Sequence, residues 1–196
     1  MIRTILASLL LSVALVASSK TVLLEHIPLV WRPTSTLRLG TTQMTVSPVT
    51  IAAFTDGRDN KAAIGENRED SEPKPVTTSD DVGAFVSTHI RELFNQAGIK
   101  TVENNAGVTI HGEVKQFFVR ERDTYNSEVA IQLTLTDQNG KTLWHGLASG
   151  EATRFGRSYK AENYYEVLSD AVVNTVSSML QAAEIQKALT GHASGE

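Results

Sequence analysis

The chain contains no cysteine. Disulfides are therefore excluded, and an exported domain of this sequence must rest on its apolar core alone. Proline is scarce, with 5 in 196 residues, and charged residues make up 20%, a composition that argues against disorder as the dominant state. Basic charge is short as well: 18 Lys and Arg against 22 Asp and Glu leave a formal charge of −4. No stretch interleaves basic and aromatic residues, so nucleic acid is not an expected partner. The sequence has no G-x-S-x-G elbow, no P-loop and no G-x-G-x-x-G fingerprint. Its histidines, His26, His89, His111, His145 and His192, stand apart from one another without an H-E-x-x-H pair. His111 and His145 are read as chance occupants of strands, His89 as a half-buried packing residue. Glu113, Glu121, Asp123 and Glu128 are read as ordinary sheet-surface charge. No enzymatic activity, metal or cofactor is expected.

Long hydrophobic runs are limited to Ile5–Ala17, too short to span a bilayer comfortably. Arg3 precedes that run and small residues follow it, which describes a secretory signal over residues 1–18 with cleavage before Ser19. Removing it takes Arg3 away and moves the formal charge from −4 to −5. The stretch "LVAS", Leu15 to Ser18, has the form of a bacterial lipoprotein cleavage box, with Ser18 where the lipid-bearing cysteine would stand. Serine has no thiolate to accept a diacylglycerol group. Either the chain is a soluble exported protein, or it differs from an anchored ancestor at one atom.

Residues 19–43 are broken by Pro28, Pro33 and Gly40 into extended pieces and read as an N-terminal arm, laid along a sheet edge. Its Trp31 docks either on its own domain, the expectation for a large aromatic, or on a partner. A single α+β domain is expected over residues 44–190, with residues 191–196 as a frayed tail. Thr45–Phe54 is a strand candidate in which Val49, Ile51 and Ala53 alternate with Thr50, Ala52 and Phe54, and Pro48 marks its start. Val82, Phe85, Val86, Ile90, Leu93, Phe94 and Ala97 recur at helical spacing, with Ser79 as N-cap and Gly98 as the stop. Val108, Ile110, Gly112 and Val114 alternate, then Phe117 and Val119 fall on the other parity, so a bulge near Gln116 is expected. Val129, Ile131, Leu133 and Leu135 form a clean inward row, and Asn139-Gly140 signals a hairpin. The returning strand carries Leu143 and Leu147 on one face and Trp144 with small residues on the other. A last helix, about Glu162 to Ala188, has the stripe Tyr165, Leu168, Val172, Val176, Met179, Leu180 and Ala183. The predicted fold is an antiparallel sheet of about four strands with two helices packed on one face, in β-α-β-β-β-α order.

The charged stretch "FTDGRDNKAAIGENRED", Phe54 to Asp70, is expected as a loop. Asp56, Asp59 and Asn60 offer hard oxygens, but a calcium site needs about six to eight in fixed order, and Arg58, Lys61 and Arg68 oppose a cation. An architectural role is favoured, with Asp56-Gly57 opening a turn and Arg58 pairing with a carboxylate near the sheet end. The alternative reading is a periplasmic protein that binds a small ligand or cation through residues 56–70. Tyr159, Tyr164 and Tyr165 cluster at the entry to the last helix, where they either seat that helix or present an interface.

The stretches "VTIAAFTDGRDNKAAIGENRE", "KPVTTSDDVGAFVSTHIRELFNQAGI" and "LTLTDQNGKTLWHGLASGEA" resemble the YajG-like family of uncharacterised bacterial lipoproteins. A strand ending in Phe-x-Asp-x-Arg, an Ile-Gly soon after and a helix closed by Gly carry the likeness, which covers nearly the whole mature chain. The resemblance implies export to the periplasm or the periplasmic face of the outer membrane, with no established reaction; Ser18 departs from its anchoring pattern. The expected role is a non-enzymatic interaction or assembly module, with an envelope protein or a second copy as partner.

Overall fold

Three strands of 14 residues each carry the architecture. The structure, a computed structural model, describes residues 23–39 and 46–190; the expected signal segment and C-terminal tail lie outside the described residues. Along the chain run β1 (Val49–Ile51), β2 (Thr55–Asp56), β3 (Ala63–Asn67), β4 (Lys74–Thr77), α1 (Val82–Gln96), β5 (Val108–Glu121), β6 (Thr124–Asp137), β7 (Thr142–Phe155), α2 (Ala161–Gln181) and α3 (Ala183–Thr190).

The α+β class holds, but the sheet is mixed and has seven strands rather than about four antiparallel ones. β5, β6 and β7 form the expected antiparallel meander, closed at Gly140 with φ 78°. The other edge of β5 takes β1, β2 and β3 in succession, all parallel to it. β4 then pairs antiparallel with β3. The charged segment from Phe54 is therefore not one open loop. It is a relay that leaves β5 after Ile51, returns at Thr55, and returns again at Gly65.

That relay explains the short first strand. Val49 and Ile51 are buried as the alternation requires, but Ala53 is exposed and Phe54 is buried. Gly112 on β5 makes room for the Phe54 ring, because a Cβ there would lie 2.6 Å from it. The bulge falls between Val114 and Gln116 and leaves Lys115 unpaired. Beyond it Phe117, Val119 and Glu121 all turn into the core.

Both α1 and α2 lie on the core face of β5 and touch each other, with Val86, Ile90 and Phe94 of α1 buried beside Leu168, Val172 and Val176 of α2. Asp81 rather than Ser79 caps α1, its Oδ1 accepting the Ala84 amide at 3.0 Å; Ser79 instead bonds the His26 ring. On β7 the small residues face inward. Gly150 lets α2 approach so closely that a Cβ there would sit 2.5 Å from the Ala171 carbonyl oxygen. The last helix is two helices, because Ala182 adopts an extended ψ of 119° and α3 starts anew. Tyr164, not Tyr165, heads the buried stripe of α2. Among the described residues no helix is long and apolar enough to cross a membrane.

Candidate functional site

Two buried polar clusters and one strap organise the chemistry of this fold. The first forms where β2 leaves β5. Asp56 sits on β2, and the turn after it brings Arg58 back beneath the sheet end, 8% exposed. The guanidinium meets Asp56 through two nitrogens, Nε to Oδ1 at 2.9 Å and Nη2 to Oδ2 at 2.8 Å. Nη1 donates to the Ala63 carbonyl at 2.7 Å and the Phe117 carbonyl at 3.3 Å, and Nη2 to the Lys61 carbonyl at 2.6 Å. One planar fork thus ties β2, the turn, β3 and β5 together. Burial would raise the Asp56 carboxyl, but hydrogen bonds and charge from Arg58 outweigh it and hold the group below its ordinary value. Asp59 lies exposed on the turn, outside the cluster.

The second cluster forms at the far end of β5. Glu121 is 0% exposed, contrary to its reading as surface charge. Its Oε1 accepts the backbone amides of Ser158 at 3.2 Å and Tyr159 at 2.9 Å, and its Oε2 accepts the Tyr164 hydroxyl at 2.7 Å. The turn between β7 and α2 aims two amides at one carboxylate by placing Tyr159 at φ 40°. Burial raises the Glu121 carboxyl, but the polar groups around it, the Tyr159 amide and the Tyr164 hydroxyl among them, more than compensate and leave it below the usual carboxylate value. Burial and the adjacent carboxylate push the Tyr164 phenol far above its ordinary value. The Tyr125 and Tyr164 rings meet edge to face with centroids 5.3 Å apart. Tyr165 is half-buried and stands apart from this group.

The strap is the N-terminal arm. Leu24 bridges Val76, and the Thr77 amide donates to the Leu24 carbonyl at 3.0 Å, so the arm first extends the sheet at β4. Tyr159 fixes this stretch, its hydroxyl accepting the Leu24 amide at 3.1 Å and donating to the Pro75 carbonyl at 3.2 Å. The arm then crosses the helices. Trp31 stacks on His89 of α1 at 4.1 Å between centroids, 8° from parallel, so it docks within its own chain. Along α2 the arm's backbone is read by side chains. Ser169 accepts the Arg32 amide at 2.9 Å, and Ser177 accepts the Arg38 amide at 3.0 Å. Asp170 takes the Thr34 and Ser35 amides and the Thr34 hydroxyl, all at 2.6 Å. Ser177 is 5% exposed and Asp170 9%, because the arm lies over them. Asp170→Ala is expected to lower stability by about 2 kcal/mol, the cost of losing bonds to a charged acceptor. Hydrogen exchange at Thr34 and Ser35 should accelerate while the β5–β6 amides stay protected.

A cleft of about 560 Å³ at the N-terminus of α1 is lined by Asp56, Lys61, Asp80 and Asp81 among others. Asp56 is held by Arg58, Asp80 accepts the Leu29 amide and Asp81 caps α1. Among the described residues no three His, Cys, Asp or Glu side chains are grouped to hold a metal ion. His111 and His145 do not meet; they flank Thr134 on either side in the ladder. The face of the sheet away from the helices carries His145, Leu147, Ser149, Glu151, Thr153 and Phe155 on β7, all exposed, with Leu147 at 58% and Phe155 at 87%. The residues singled out from the sequence thus split. Asp56 with Arg58, and Tyr159 with Tyr164, are brought together inside the fold, whereas Asp59 and Tyr165 join neither cluster.

No curated protein matches the chain. Among solved structures it is similar to a Xanthomonas campestris protein of the DUF330 family, at 8% identity and TM-score 0.58, covering 80% of this chain and 96% of that one. It also matches the PelC dodecamer from Paraburkholderia phytofirmans at 17% identity and TM-score 0.43, over 76% and 100% of the two chains. A protein of Caulobacter crescentus described as a lipoprotein matches at 13% identity and TM-score 0.43, over 67% and 92%. The first of these shows the shared fold. The family Lipoprotein_16, described as uncharacterized lipoprotein, matches residues 41–190, and the chain accordingly belongs to that family, the YajG family whose motifs its sequence carries.

Proposed function

We propose that this protein is an exported, non-enzymatic interaction module of the bacterial cell envelope, at the periplasmic face of the outer membrane or in the periplasm. One observation carries the reading: α1 and α2 cover a single face of the sheet, and the opposite face ends in a long edge strand bearing Leu147 and Phe155 in solvent. A long unpaired edge offers its backbone N–H and C=O groups to a partner, and Leu147 and Phe155 add two separate apolar contacts among polar neighbours. The ionisable groups support the same reading from inside. Arg58, Asp56 and Glu121 bond to the fold itself, so their chemistry is structural. The family's description as lipoproteins agrees with an envelope location.

The test is a photo-cross-linking amino acid placed at Phe155 in cells. A discrete adduct in the envelope fraction, absent when the same group replaces Glu103, is expected. Equal labelling at both positions, or none at Phe155, would overturn the assignment of this face.

A further inference from the structure

We infer that the face of α2 formed by Ser169, Asp170, Ser177 and Gln181 is a binding site for an extended polypeptide, filled here by the chain's own arm and able to take the arm of a second copy. The recognition is of backbone. Amides of Arg32, Thr34, Ser35 and Arg38 are bonded by α2 side chains, and Gln181 Nε2 donates to the Arg38 carbonyl at 3.1 Å. Such a seat selects an extended chain with free N–H groups rather than a particular side-chain pattern. Ser169 and Ser177 are oriented towards the arm by donating to the Tyr165 and Val173 carbonyls of α2 itself, so the seat is set before an occupant arrives.

The arm is held by polar bonds to α2 and by partial apolar burial. Leu24 is its one buried apolar residue among those described; Ile27, Leu29, Trp31 and Leu37 are partly buried against the core, while Leu23 is 51%, Val30 39% and Leu39 53% exposed. Lifting the arm gives up those polar bonds, which water replaces in part, and the apolar burial of Leu24, Ile27, Leu29, Trp31 and Leu37, and exchange restores both in the seat of the second copy. The arm also precedes the span that matches the family, which begins at residue 41. Every copy carries both arm and seat, so a second copy's arm is the one segment whose fit to the seat is already displayed. Exchange converts two self-strapped chains into a reciprocal dimer with the same contacts, the low-cost route to association. This inference does not depend on the open sheet face.

The absence of cysteine makes the test clean. Arg38→Cys and Ser177→Cys are introduced into separate full-length chains, mixed, incubated and oxidised. The control mixes Arg38→Cys with Phe155→Cys, whose position is far more exposed than Ser177. Arm exchange predicts a mixed disulfide between Arg38→Cys and Ser177→Cys forming about tenfold faster than with the control, because the seat holds the two thiols at high effective concentration. The rate should rise with protein concentration. A mixed disulfide slower than the control, as a permanently covered Ser177 requires, would overturn the inference. Should Ser177→Cys fail to fold, Gln181→Cys replaces it with the same two outcomes.

Discussion

Replacing Arg58 with alanine is expected to lower the unfolding free energy by about 3–5 kcal/mol, the largest single-site loss in this fold. The figure follows from what would be left behind. Asp56 would keep a partly buried carboxylate without its counter-ion, and the carbonyls of Lys61, Ala63 and Phe117 would lose donors at 2.6, 2.7 and 3.3 Å. Against a typical domain stability of about 5–15 kcal/mol, such a loss leaves little margin. Arg58→Lys restores the charge but offers one nitrogen where the site uses three, so it should recover less than half of the deficit. Urea unfolding of both variants checks this. A loss below about 1 kcal/mol for Arg58→Ala would mean that the cluster is solvated and the relay of short parallel strands holds without it.

Glu121→Ala comes second, at about 3 kcal/mol, because two backbone amides and the Tyr164 hydroxyl are stranded at once in a fully buried site. This site also sets a pH signature. The Glu121 carboxyl titrates below its ordinary value in the folded protein. Its contribution is therefore fully present above the unfolded value, about 4.3, and is lost as pH falls through the folded one. Asp56 is lowered in the same sense. Wild-type stability should thus be level from neutral pH to about pH 5 and fall below it. Glu121→Gln should flatten part of that fall while starting from lower stability. A variant whose acid profile parallels the wild type would show that Glu121 does not titrate in this window.

The elements legible in the sequence were those whose signal is local. The α1 stripe and the row Val129–Leu135 need only their own periodicity, and Asn139-Gly140 needs only the turn it makes. The strands β2, β3 and β4 escaped because they are short and polar, Thr55–Asp56 being only two residues. β5, the parallel partner of β2 and β3, lies far along the chain, Thr55 pairing with Glu113 and Gly65 with Val119, and leaves no local trace. Glu121 was within reach: once a bulge shifts the parity after Val114, the row Phe117, Val119, Glu121 must point inward. By residue type its carboxylate reads as surface charge, but its place at the end of that row makes it a buried one. The Tyr164 and Tyr165 positions differ by one step around the helix, and the choice between them depends on that same buried acid. Ala182 breaks the last helix with neither glycine nor proline to announce it. The α2 seat was hidden for a different reason, since it binds the arm through backbone amides and so leaves no complementary side-chain pattern to find.

The measurement that bears most directly on the reading of this protein as a contact module is a comparison of wild type with the double variant Leu147→Glu and Phe155→Glu. Both side chains are exposed, so the unfolding free energy should move by no more than about 0.5 kcal/mol. Chemical cross-linking in the envelope fraction should lose the adducts that the wild type forms. A double variant that keeps every adduct, or one that unfolds markedly more easily, would contradict the claim that this face serves contact while the interior serves only the fold.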